Sequence, residues 1–197
     1  MSKASELHDA LNTSWAVKAG GTGKDECLGI AALSDGSALV TGSFKSSDAS
    51  FGNSITLSSS GAYPDIFVAK VNASGSWEWA LKAGGSHLDV GRGIAALSDG
   101  SALVTGDFQS SSASFGNSIT LSSSGDPDIF VAKVNASGSW EWALQAGGSD
   151  TDKGLGIAAL SDGSALVTGY FMSSDASFGS TTLSSLGGAD IFVAKVS

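Results

Sequence analysis

The stretch GIAALSDGSALVTG occurs three times without a change, at residues 29–42, 93–106 and 156–169, so its first glycine advances by 64 and then by 63 residues. Self-similarity at a fixed, long period restricts a chain to repeat architectures in which each copy is one supersecondary unit. Within the stretch, Ile30 to Leu33 and Ala38 to Thr41 are apolar runs of strand length on either side of Ser34, Asp35, Gly36 and Ser37. Asp-Gly is a strong hairpin signal, because Gly takes positive φ cheaply and Asp bonds to nearby backbone. The first strand carries Gly and Ala where large β-branched residues are usual, which predicts a crowded position between neighbouring backbones.

The rest of the repeat is equally regular. SWAVKAGG from Ser14 returns as EWALKAGG from Glu78 and EWALQAGG from Glu141. Alternation puts Trp79, Leu81 and Ala83 on one side of such a strand. Trp15, Trp79 and Trp142 are therefore expected as buried core anchors, with Trp77 and Trp140 more exposed. A loop follows, GGTGKDECL, GGSHLDVGR or GGSDTDKGL, whose copies share the paired Gly and one Asp: Asp25, Asp89 and Asp152. After the hairpin come a polar insertion, residues 45–64 in the first copy, and the apolar run DIFVAKV from Asp65, Asp128 and Asp190. NASGS turns at Asn72 and Asn135 lead into the next Trp strand.

Four strands per repeat, 27 Gly, two Pro and little helical periodicity predict an all-β chain. The fold expected is a β-propeller of four-stranded antiparallel blades, three per chain. The W-A-x-K-A-G-G, G-I-A-x-x-x-D-G and D-I-F-V-A-K-V segments resemble the bacterial β-propeller repeat known as SBBP, over residues 14–197. That family is defined by its repeats, so the resemblance implies an architecture and no particular activity. Residues 1–13 read as a tail, with a turn or two of helix at most over Ser5–Leu11, and His8 and Asp9 solvated. The blades span about 29–83, 93–146 and 156–197, and the third lacks an outer strand that residues 14–19 supply. Propellers have about four to eight blades, so two chains are expected to close one six-bladed ring by exchanging that strand. A nine-bladed trimer, a fragment of a longer propeller and a monomeric three-sheet prism are the alternatives.

The formal net charge of −9 and the scattering of ten Lys and Arg disfavour nucleic acid and anionic membranes as partners. No apolar run is long enough to span a bilayer, and the start of the chain has no signal-peptide pattern. A soluble protein is expected, compatible with an extracellular or cell-surface bacterial setting. Cys27 is the single cysteine, and His8 and His87 are the only histidines, so neither a nucleophile-base triad nor a His/Cys metal centre is expected. The segment Gly20–Asp25 matches the start of a calcium-binding nonapeptide. Its next copy is 64 residues away, however, and carries His87 in place of the third Gly, Gly23. No cofactor or metal is expected, and each loop Asp is read first as an acceptor for backbone N–H groups in its own turn.

Sequence differences concentrate in the loop after the Trp strand and in the insertion before DIFVAKV, and strand alternation brings these two connections to one face. Variable loops on a rigid scaffold are where binding resides. The function expected is that of a non-enzymatic scaffold recognising a glycan, peptide or surface component there. The candidate ligand-face residues are Asp25, Asp89, Asp152, Phe51, Phe115 and Phe178, although the unchanged ASFG context also fits the three Phe to small loop cores. A purely structural self-assembling module is the second reading. An enzyme, which requires the repeated Asp residues to converge, is the third.

Overall fold

A computed structural model describes residues 13–197, and every element among them is a strand. The first repeat forms β1 (Asp25–Ala32), β2 (Ala38–Phe44), β3 (Ala49–Ser50), β4 (Thr56–Leu57), β5 (Asp65–Val71) and β6 (Trp77–Ala83). The second forms β7 (Asp89–Ala96), β8 (Ala102–Phe108), β9 (Ala113–Ser114), β10 (Thr120–Leu121), β11 (Asp128–Val134) and β12 (Trp140–Ala146). The third forms β13 (Asp152–Ala159), β14 (Ala165–Phe171), β15 (Ala176–Phe178), β16 (Thr181–Leu183) and β17 (Asp190–Val196). Expectations for His8, Asp9 and the short helix fall outside the described residues.

The long strands make three antiparallel sheets in the orders β1-β2-β5-β6, β7-β8-β11-β12 and β13-β14-β17. Each insertion folds into its own two-stranded hairpin, β3-β4, β9-β10 and β15-β16. Turn chemistry sets the registers. Gly36, Gly100 and Gly163 take φ of 81°, 82° and 84°, and Asp35 Oδ1 accepts from Ser37 N at 2.9 Å. The NASGS turns repeat the device, with Asn72 Oδ1 accepting from Ser74 N and Ser76 N.

The first strands of the three sheets lie side by side: a Cβ on Gly29 would stand 3.0 Å from Arg92 O, and one on Gly93 3.2 Å from Leu155 O. Glycine is required by this approach of backbones, as the composition of GIAAL predicts. Between sheets, alternate residues interlock. Leu39, Ile66 and Val68 of the first sheet enter one core with Ile94, Val104 and Phe130 of the second. Ile129 and Val131 of the second enter another with Val167, Phe171 and Phe192 of the third.

Among the described residues of the single chain, residues 14–19 join no ladder, and the segment bridges only at Gly20, opposite Ser50. The expected burial of the tryptophans is corrected. Trp140 is 4% exposed and Trp15 41%, with Trp77, Trp79 and Trp142 between. Trp77 pairs with Val71 and Trp79 with Lys70, so Glu78 is an extra residue in a bulge. A bulge breaks alternation, and the two tryptophans turn to opposite faces. Trp140 thereby meets Phe115 edge to face at 5.1 Å and donates Nε1–H to Lys82 O at 3.0 Å.

Candidate functional site

Antiparallel order puts both tight turns of a sheet at one end and both long connections at the other. The long connections are tied together: Gly20, Gly84 and Gly147 bridge to Ser50, Ser114 and Ser177 of the insertion that follows. Each loop Asp sits inside this tie. Asp89 accepts from Gly85 N at 2.8 Å and Ser110 Oγ at 2.7 Å through Oδ2, and from Gln109 N at 3.1 Å and Ser110 N at 3.2 Å through Oδ1. Asp152 makes the same four bonds with Gly148, Ser173 and Met172. Asp25 makes them with Gly21, Ser46 and Lys45. Asp89 and Asp152 are fully buried, so these carboxylates fasten the loops from within and offer no surface to a ligand.

The phenylalanines are also inside. Phe51 and Phe115 are 2% and 0% exposed, and Phe178 is half-buried with its centroid 4.9 Å from that of Phe192. The two fully buried rings meet Trp77 and Trp140 edge to face, as loop cores do. The exposed aromatic pair on this face is a different one. Tyr63, half-exposed at the end of the first insertion, stacks on exposed His87 of the next loop at 5.9 Å and an interplanar angle of 10°. Ser86 Oγ holds His87 Nδ1 at 2.9 Å, and Ser110 Oγ accepts from His87 N. Neither ring recurs in the other copies, and the sequence shows His87 in place of Gly but not its pairing with Tyr63.

A second constellation lies where adjacent sheets meet. A Cβ on Gly84 would stand 2.5 Å from Asp65 Oδ1 and 2.8 Å from Asp89 Oδ2, so two buried carboxyls converge over one glycine. Asp128 and Asp152 converge over Gly147 in the same way. Burial pushes Asp65 and Asp89 above the usual carboxylate range. Burial and then the Asp152 charge raise Asp128 to about 7. Asp65 Oδ1 is buried with no hydrogen-bond partner among the described residues. At Asp25 the outcome is opposite: partial burial raises it, but hydrogen bonds from Ser46, Gly21 and Lys45 outweigh this and hold it below the usual range. The two pairs are separate, one per junction, and buried.

These shifts fix the sign of a pH effect. A carboxyl raised in the folded state keeps a proton that the unfolded chain gives up, so its stabilisation is complete below about pH 4 and is lost as pH rises through the folded value. For Asp128 the window runs from about 4 to about 7. The urea midpoint is expected to fall between pH 5 and pH 8, and Asp128→Asn to flatten that fall. A midpoint that rises over this range contradicts the pairing.

Among the described residues no group of three or more His, Cys, Asp or Glu could hold a metal ion. No helix among them is long and apolar enough to cross a membrane. Compared with known proteins, the chain matches no family model and none of the curated sequences.

Proposed function

We propose that this chain is a β-propeller scaffold without enzymatic activity, which presents its variable loops to a glycan or similar surface component. The propeller reading is supported by the repeated strand order, by the side-by-side first strands and by cores shared between successive sheets. The observation that carries the binding reading is the exposed Tyr63–His87 stack, built from two variable loops on a face whose backbone is fastened from beneath by Asp65 and Asp89. A flat aromatic pair rimmed by hydroxyls offers an apolar floor to a sugar ring and acceptors to its edge.

A glycan array tests this. Binding by the protein and an at least tenfold loss for Tyr63→Ala, about 1.4 kcal/mol, are expected. A blank array, or binding indifferent to Tyr63, contradicts the ligand reading. The second reading, a purely structural module, is favoured by the unpaired apolar residues of β17, among them Ile191 at 87% and Val193 at 71% exposure.

A further inference from the structure

We propose that the third sheet of one copy docks on the first sheet of a second copy, with residues 14–19 of that copy as its missing outer strand, so that two chains close a six-sheet ring. The proposal rests on the propeller reading of the fold and not on the ligand reading of the loops.

The occupant is specified by junctions that the chain already contains. At the first, Leu39, Ile66 and Val68 are 1%, 0% and 0% exposed because the second sheet covers them. At the second, Leu103, Ile129 and Val131 hold the same positions and are equally covered. Their counterparts in the third sheet are Leu166, Ile191 and Val193, and these lie exposed. Among the described residues nothing covers the receiving side either. Ile94 is 7% exposed between two sheets, whereas its equivalent Ile30 is 71% exposed. An apolar cavity of about 300 Å³, lined by Trp15, Val17, Ile30, Val40, Phe44 and Phe67, stands where the branched residues of a preceding sheet would sit. Donor and acceptor faces belong to the same chain, so a second copy carries the complement of each.

The N-terminal segment is already in place for this. Trp79 of the outer strand β6 donates Nε1–H to Ala136 O of the second sheet, and Trp15 donates in the same way to Ala73 O of the first, at 3.1 Å. Trp140 Nε1 reaches Lys82 O, and Trp77 Nε1 reaches Lys18 O. Residues 14–20 therefore hold an outer strand's position against the sheet that follows, with no sheet of their own. Meanwhile β17 is the edge of a sheet with three strands. Equivalence with the β5–β6 pairing fixes the register between copies: Ile191 opposite Ala19, Val193 opposite Val17, and Lys195 opposite Trp15. Six is the one multiple of three among the usual blade numbers, and a head-to-tail contact that closes after one repetition leaves no free edge.

The closing junction differs at its inner end. Cys27 stands where the other copies have Gly91 and Gly154, and a Cβ on either of those glycines would overlap Thr Oγ1 of the preceding sheet. This junction is therefore wider there, and Cys27→Gly is expected to lower its dissociation constant several-fold.

Light scattering on the whole chain is expected to give twice the 19.5 kDa chain mass. Val193→Asp, which alters a position exposed in the single chain, and Val17→Asp on the opposite partner are each expected to give monomers with an unchanged far-ultraviolet spectrum. A wild-type monomer overturns the docking, three times the chain mass overturns the six-sheet count, and a weaker dimer on Cys27→Gly overturns the equivalence of junctions. A monomer that still binds glycan leaves the ligand reading standing.

Discussion

Phe130→Ala is expected to destabilise the protein by about 3–5 kcal/mol, read from the urea midpoint at one fixed protein concentration. Phe130 is fully buried in the middle sheet, 5.3 Å from the Phe115 ring. It also lies across the ladder from Gly106, and its Cε1 would be 2.7 Å from a Cβ placed there. The ring thus covers a glycine that cannot carry a side chain, and no neighbour can grow into the void. Phe192, its counterpart in the third sheet, is buried in the equivalent junction with Ile129 and Val131, and Phe192→Ala is expected to cost a comparable amount. A near-neutral result at either position would contradict the junction packing.

Asp89→Ala is expected to cost about 3 kcal/mol. Four donors lose their acceptor at once: the N–H groups of Gly85, Gln109 and Ser110, and the Ser110 hydroxyl. Ser110 is fully buried and water cannot replace the carboxylate there. Asp25→Ala removes an identical set of bonds from a loop open to solvent and is expected to cost clearly less. A neutral result at Asp89 would mean that the loops are not held from within.

What the sequence discloses is what repetition and turn chemistry control. SDGS and NASGS need positive φ at a fixed offset, the apolar runs have strand length, and the loop Asp residues match turn acceptors, so strands, turns and Asp cages are legible. What escapes it depends on contacts across the repeats. The expectation that Trp142 is a buried anchor and Trp140 more exposed is defeated by a bulge in the Trp strand, at Glu78 in the first copy, which turns the two rings to opposite faces. The ASFG phenylalanines and Tyr63 are all aromatic residues in polar insertions. Only packing shows that Phe51 and Phe115 are sealed in while Tyr63 lies on His87. The carboxyl pair Asp65–Asp89 joins residues from different repeats, and no local pattern announces it. The segment 14–19 has a strand's sequence but finds no sheet among the described residues to join.

The register across the proposed junction is the most direct test of the account. In a Cys27→Ser background, Val17→Cys and Val193→Cys together should oxidise to a disulfide between copies, giving a covalent species of twice the chain mass in denaturing mass spectrometry. Val17→Cys paired with Ile191→Cys, out of register by two residues, should remain mostly reduced. Efficient bonding of 17 to 193 with little of 17 to 191 is the result the account predicts. A bond formed within one chain, no bond at all, or equal yields from both pairs would contradict it.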